Sequence, residues 1–75
     1  MTKLPVFSGR QVVKRFERLG YKVVRQRGSH IRLVHPSKSS CKPLTVPDHA
    51  ELGRGLLRKL LRDAQITLEE FLKLR

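Results

Sequence analysis

A glycine–serine pair near the middle of the chain, Gly28-Ser29, separates two segments that have the pattern of β-strands. The segment before it, residues 21–27, mixes Tyr and Val with Lys and Arg. The segment after it, residues 30–35, alternates polar and apolar residues as His-Ile-Arg-Leu. Two-residue links of the Gly-X kind close tight β-hairpins. The chain therefore predicts an antiparallel hairpin at its centre, and any fold has to be built around it.

The alternation in the second strand assigns its side chains to two faces. Ile31 and Leu33 should face a core, because successive side chains of a strand point to opposite sides. A one-residue bulge would reverse this assignment. The residues expected on the opposite, solvent-facing side are His30, Arg32 and either Arg25 or Gln26.

The chain before the hairpin carries the signals of an amphipathic helix. Ser8, followed three residues later by Gln11, forms a capping-box pattern, in which each side chain satisfies a backbone N–H of the other residue. Gly20 supplies a left-handed stop. The apolar residues between these ends recur at helical spacing: Val12, Val13, Phe16 and Leu19.

The chain after the hairpin predicts a short strand, residues 44–46, and two more helices. The longer helix runs from about residue 56 to residue 65, and Thr67 with Glu70 forms a second capping box that opens a short terminal helix. The predicted fold is an α+β two-layer domain with the order helix, three antiparallel strands and helix, followed by a short extra C-terminal helix. The two main helices lie on the same face of the sheet. Its core should contain Val12, Phe16, Ile31, Leu33, Leu57 and Leu61.

The size and the charge of the chain limit what it can do. Seventeen Lys and Arg residues against six Asp and Glu residues in 75 positions give a formal net charge of +11. A chain this short has room for a single domain, residues 1–75, and for no deep enclosed pocket. The charge indicates nucleic acid as a partner, because basic side chains release condensed counterions when they bind it. A merely solubilising basic surface, or one that docks an acidic protein, is the alternative.

Several other classes are excluded or disfavoured. No apolar run approaches the ~20 residues that span a bilayer, and residues 1–8 lack the apolar stretch of a secretory signal. The single cysteine, Cys41, cannot form an internal disulfide, and it is predicted to be an exposed thiol in the polar loop of residues 36–43. The three histidines share no ligand spacing, so we expect neither a metal nor a cofactor. We expect a soluble, cytoplasmic protein.

His30 is the candidate for chemistry, because it directly follows the tight turn on the basic, solvent-facing side of the sheet. Imidazole exchanges protons near pH 7, so it can take a proton from a ribose 2′-hydroxyl or give one to a leaving oxygen. Arg25, Arg27 and Arg32 would offset the charge that develops on the phosphoryl oxygens. This route requires RNA, since DNA lacks the internal nucleophile. A lone surface histidine, however, is more often simply solvated.

The remaining histidines and two helix faces have weaker signals. His35 is predicted to be a solvated loop residue, and His49 to form hydrogen bonds at a helix entry. The basic helix faces are possible contacts for RNA or for a protein partner: Arg10, Lys14 and Arg15 on the first helix, and Arg58, Lys59 and Arg62 on the longer later helix. A non-catalytic RNA- or DNA-binding module that uses these basic surfaces is the alternative to an enzyme.

Three segments of the chain resemble the HicA toxins, the YcfA-like family. They are residues 20–30, which end in Gly-Ser-His, the Val-Pro-Asp-His run of residues 46–49, and residues 55–67. The resemblance covers about residues 4–72, and its most specific part is the Gly-Ser-His triplet at this place in the element order. One departure is Leu56, where the family often has Thr, so the N-cap of that helix should be a glycine, Gly55 or Gly53.

The resemblance implies a double-stranded-RNA-binding-like fold and the toxin of a bacterial or archaeal toxin–antitoxin pair. Such a toxin is an endoribonuclease, an mRNA interferase that arrests translation and growth. Its catalytic histidine would be His30, with Gly28 required for the turn and Ser29 either a turn residue or a substrate contact. Its partner would be a HicB-like antitoxin that covers this histidine and could imitate phosphate with carboxylates. Association with DNA would come only through the antitoxin.

Overall fold

The computed structural model describes residues 6–74. It contains, in chain order, α1 (Gly9–Leu19), β1 (Lys22–Arg27), β2 (His30–Val34), β3 (Leu44–Pro47), α2 (Arg54–Ala64) and α3 (Leu68–Lys73). The strands form one antiparallel sheet in the order β1-β2-β3. This arrangement confirms the predicted α+β fold with its short extra C-terminal helix.

The outermost residues of the chain lie outside the described part. The ends of the predicted domain of residues 1–75 therefore carry no structural description. The same holds for the start of the resemblance near residue 4 and for most of the segment of residues 1–8.

The first helix begins and ends as its sequence signals predict. The Ser8 hydroxyl accepts a hydrogen bond from the Gln11 amide at 3.1 Å, and the Gln11 side chain accepts one from the Ser8 amide at 2.9 Å. These two bonds satisfy N–H groups that would otherwise have no partner in the first turn. At the other end, Gly20 adopts a φ of 116°, and its amide donates to the Glu17 carbonyl at 3.1 Å.

The later helices differ in how their N-termini are capped. Gly53 is the N-cap of α2 and provides no side-chain hydrogen bond, so this helix depends on its buried stripe of Leu57, Leu60, Leu61 and Ala64. In α3, the Thr67 hydroxyl accepts from the Glu70 amide at 3.1 Å, and the Glu70 carboxylate accepts from the Thr67 amide at 2.9 Å. The hydrogen bond from the Thr67 backbone lowers the pKa of Glu70.

The core lies between the sheet and the helices, and it contains all six predicted residues. Phe71 of α3 closes it at one end. Its ring centroid lies 5.3 Å from that of Phe7, in an edge-to-face arrangement, and 5.3 Å from that of Phe16. Aromatic pairs at such separations are favourable beyond the area they bury. The short terminal helix is therefore a structural part of the core.

His35 is not the solvated loop residue that its sequence context predicted. Its ring packs edge-on against Tyr21 at 5.1 Å, and its Nε2 lies 3.1 Å from the Leu19 carbonyl oxygen. Its Nδ1 accepts hydrogen bonds from the amides of Ser37 and Lys38. Since Nδ1 is an acceptor, Nε2 carries the proton that is donated to Leu19. His35 thus ties the end of β2 to the end of α1.

The prediction of an exposed thiol at Cys41 is wrong as well. Cys41 is 6% exposed, and its Sγ lies 3.3 Å from the Ala64 carbonyl oxygen. The loop folds back over the end of α2, because the Lys42 amide donates to the Asp63 carbonyl at 2.9 Å. The Tyr21 hydroxyl donates to the Lys42 carbonyl at 2.8 Å. Burial, together with the neighbouring Cys41, raises the pKa of Tyr21.

Arg15 joins α1 to the C-terminal end of α3. Its Nη1 lies 3.2, 3.1 and 2.8 Å from the carbonyl oxygens of Phe71, Leu72 and Leu74. The guanidinium also lies 4.7 Å from the centre of the Phe7 ring. The last carbonyls of a helix have no partner within it, so a cation placed there satisfies them and interacts favourably with the helix dipole. Arg15 is therefore half-buried in a structural contact, although it was predicted on an exposed basic face.

We expect Arg15→Met to destabilise the domain by about 1–3 kcal/mol, because it removes charge-assisted hydrogen bonds and a cation–π contact while keeping most of the apolar side chain. Urea denaturation followed by circular dichroism measures this change. Lys14→Met, at the exposed neighbouring position of α1, is the matched control and should cost less than about 0.5 kcal/mol. Equal stability of the two variants would contradict the structural role of Arg15.

Candidate active site

The register of the hairpin decides which side chains share a face. His30 pairs with Arg27, and Arg32 pairs with Arg25, so these residues project from the open side of the sheet. Gln26 pairs with the buried Ile31 and lies on the helix side. The choice between Arg25 and Gln26 is therefore settled in favour of Arg25.

A β-bulge interrupts the regular pairing of β1 with β2. The register shifts between Val23 and Arg25, so Val24 is the extra residue. On the N-terminal side of the bulge, Val23 pairs with Leu33 and lies on the helix side of the sheet. Because of this shift, Arg25 and Val23 lie on opposite faces, although they are two positions apart and would share a face in a regular strand.

The four paired basic residues surround a shallow depression on the open face. It has a volume of about 190 Å³ and is lined by Arg25, Arg27, His30, Arg32 and Thr45. His30 is exposed at one end of β2 and Arg32 is half-buried. Within residues 6–74, the ion pairs are Arg10–Asp48 and Lys59–Asp63, so no described carboxylate neutralises the arginines of the depression.

Thr45 is the lining residue that the sequence analysis missed. It lies on β3 opposite Arg32, and its hydroxyl accepts a hydrogen bond from the Arg32 Nη1 at 2.9 Å. This bond orients the guanidinium across the depression. The alternation of buried Leu44, exposed Thr45 and buried Val46 could have placed Thr45 on the open face.

The turn that precedes His30 is held by a neighbouring loop. The Asp48 amide donates to the Ser29 carbonyl at 2.6 Å, and His30 pairs with Pro47 across the sheet. The His49 carbonyl accepts from the Gly9 amide at 2.9 Å, so His49 does form a hydrogen bond at a helix entry, through its backbone. The Gly-Ser-His and Val-Pro-Asp-His segments thus meet in space, which neither segment shows by itself.

The other basic candidates lie on the helices and do not line the depression. Arg10 pairs with Asp48 at 3.0 Å, and Lys59 pairs with Asp63 at 3.0 Å. Lys14, Arg58 and Arg62 are exposed. The structure therefore brings His30, Arg25, Arg27 and Arg32 together next to Gly28 and Ser29, and it separates them from the helix residues.

Between residues 6 and 74, no three side chains among His, Cys, Asp and Glu come together in a way that could hold a metal ion. In the same part of the chain, every helix is too short or too polar to cross a membrane.

Comparison with known protein families shows the family of the chain. The sequence model of the family of HicA toxins of bacterial toxin–antitoxin systems matches residues 9–66, from the start of α1 to just beyond α2. The chain belongs to the HicA toxin family. No curated protein and no solved structure matches it. Membership supports a toxin role and, at the level of the family, a nuclease-type activity, and it implies a cognate antitoxin as partner.

The backbone of Gly28, at a φ of 55°, generates a prediction for the turn that carries His30. Asn tolerates this left-handed region, whereas a β-branched residue does not. Gly28→Val should reduce the stability of the domain by about 1–2 kcal/mol, and Gly28→Asn should reduce it by less. Thermal unfolding measures both. Apart from its chain neighbours, no described atom lies within 4 Å of a Cβ at this position, so equal stability of the two variants would show that Gly28 does not adopt a positive φ.

Proposed function

We propose that this HicA toxin is an endoribonuclease, an mRNA interferase that cleaves mRNA without a metal ion and so arrests translation and growth in the cytoplasm. The observation that supports this function is the exposed His30 among the guanidinium groups of Arg25, Arg27 and Arg32 in one shallow depression. A shallow, basic, open site fits an RNA backbone better than it fits a small molecule.

The reaction is a transphosphorylation within the RNA. The ribose 2′-oxygen forms a bond to phosphorus while the bond from phosphorus to the 5′-oxygen breaks, which leaves a 2′,3′-cyclic phosphate and a 5′-hydroxyl. His30 takes the proton of the 2′-hydroxyl as general base or, in its charged form, donates one to the leaving 5′-oxygen. With one histidine in the depression, water carries the other proton transfer.

The arginines supply the electrostatic part of the mechanism. Negative charge develops on the phosphoryl oxygens in the transition state, and fixed cations near them lower the barrier. Arg32 is the best positioned of the three, because Thr45 holds its Nη1 at 2.9 Å. Arg25 and Arg27 are exposed and unpaired with any described carboxylate, so they are free to contact phosphates on either side of the cleaved bond. Such contacts make affinity sensitive to salt and indifferent to sequence.

The antitoxin would inhibit the toxin by covering His30. A HicB-like partner that places carboxylates against Arg25, Arg27 and Arg32 would occupy the positions of the RNA phosphates. Within such a complex, contact with DNA would come from the antitoxin.

The nuclease proposal is tested with purified toxin and total RNA in EDTA. Wild type should give fragments that end in cyclic phosphate or 3′-phosphate, and His30→Ala should lose at least about 100-fold in rate, as expected for a general acid–base group. The His30→Ala protein should still shift RNA in a gel. A short RNA with a single 2′-deoxy sugar at the cleavage site is the matched substrate control, because it should bind normally and stay intact there.

One result would reject the proposed mechanism, and another would reject the nuclease function itself. Cleavage by His30→Ala at the wild-type rate would remove His30 from the mechanism. RNA that is bound but left intact by the wild type would favour the non-catalytic binding module.

Thr45 tests the role assigned to Arg32. Thr45→Val keeps the shape of the side chain and removes the hydrogen-bond acceptor, so kcat should fall about three- to tenfold, equivalent to about 1 kcal/mol, with a smaller change in KM. Thr45→Ser retains the hydroxyl and should restore most of the rate. If valine and serine give the same kcat, Thr45 does not position Arg32 for catalysis.

A further inference from the structure

A groove on the helix side of the sheet is left uncovered by α1, α2 and α3. It runs between α1 and the edge strand β1, has a volume of about 270 Å³, and has a floor of Val13, Val23 and Ile31. Val23 is 42% exposed, whereas the apolar residues of β2 and β3 on this face of the sheet are buried: Ile31, Leu33, Leu44 and Val46. We call this feature the α1–β1 groove. It lies on the opposite side of the sheet from His30.

The rim of the α1–β1 groove is polar, with two basic residues, one acidic residue and one glutamine. Arg10, Lys14 and Glu17 line it from α1, and Gln26 lines it from β1. Lys14 is exposed and forms no ion pair with the described residues. Arg10 contacts Asp48, but its side chain is 68% exposed, so its guanidinium can accept a second carboxylate. An apolar floor with two accessible cations at its rim fits a segment that has apolar and acidic side chains.

We propose that the α1–β1 groove is a docking site for an acidic, amphipathic segment of the antitoxin. The family implies an antitoxin partner, and the net charge of +11 favours an acidic surface on whatever binds this chain. Apolar side chains of that segment cover Val23 and the floor, and its carboxylates meet Lys14 and Arg10. This proposal goes beyond the nuclease function, because it places an antitoxin-binding site on a surface that the RNA reaction does not use.

The groove is less suited to RNA or to a second copy of the chain. The groove has an apolar floor, and its lining has no aromatic ring on which a base could stack. The open face, by contrast, carries three arginines without a described carboxylate partner. A second copy would bring another net charge of +11 against the same rim, which opposes self-association.

The test measures binding of the purified antitoxin encoded with this toxin by isothermal titration calorimetry. All variants are made in a His30→Ala background, so the result does not depend on whether the chain cleaves RNA. We expect Val23→Glu and Lys14→Glu each to weaken binding at least tenfold, because each places a carboxylate where the acidic segment docks. Thermal unfolding checks that the variants are folded, and if Val23→Glu is not, Lys14→Glu carries the test.

The chain offers matched controls for both variants. Val24→Glu makes the same change one residue away, at a position that is 58% exposed and does not line the groove. Arg18→Glu makes the same charge reversal elsewhere on α1. Both controls should change antitoxin affinity less than threefold. Nuclease activity of Val23→Glu with intact His30 should stay at the wild-type rate.

Other outcomes would overturn the proposal. Equal losses in Val23→Glu and Val24→Glu would show that only net charge matters, and no loss in either groove variant would show that the antitoxin does not bind there. A Val23→Glu protein that lost RNA affinity but kept antitoxin affinity would assign the groove to RNA. Sedimentation that showed a wild-type dimer disrupted by Val23→Glu would assign it to a second copy.

Discussion

The pairing of β1 with β2 is the constraint on which both faces of this protein depend. The left-handed turn at Gly28 sets a register in which His30 lies opposite Arg27 and Arg32 lies opposite Arg25. The bulge at Val24 then changes the face of the residues below it. As a result, the basic side chains gather on the open side, and Val23 is directed to the helix side, where it becomes part of the α1–β1 groove.

The core of this domain is small, so hydrogen bonds between the ends of its helices and strands help to stabilise the fold and with it this register. A chain of 75 residues buries too little apolar surface to be stable by a wide margin, so each connection matters. Arg15 connects α1 to α3, and His35 connects the end of β2 to the end of α1. The Asp48 amide holds the turn before His30. The site lies on the open surface of the sheet, and it is supported by the Asp48 contact and by the packing of the elements behind it.

The distribution of charge separates the two surfaces. Three arginines surround His30 without a described carboxylate partner, which suits a substrate with a charged backbone. On the helix side, Glu17 and the Arg10–Asp48 pair reduce the positive charge around an apolar floor, which suits a protein segment. Together, the two proposals assign RNA to the open face and antitoxin contacts to both faces.

The sequence alone determined the features that depend on neighbours along the chain. The capping boxes at Ser8 and Thr67 and the alternation around Ile31 were predictable, because hydrogen bonds between nearby residues and side-chain periodicity are local. Only the tertiary structure decided that Cys41 lies against Ala64, that His35 is hydrogen-bonded to Leu19, that Arg15 caps α3 and that Thr45 orients Arg32. Each of these contacts joins residues at least 13 positions apart, so no local pattern can encode it.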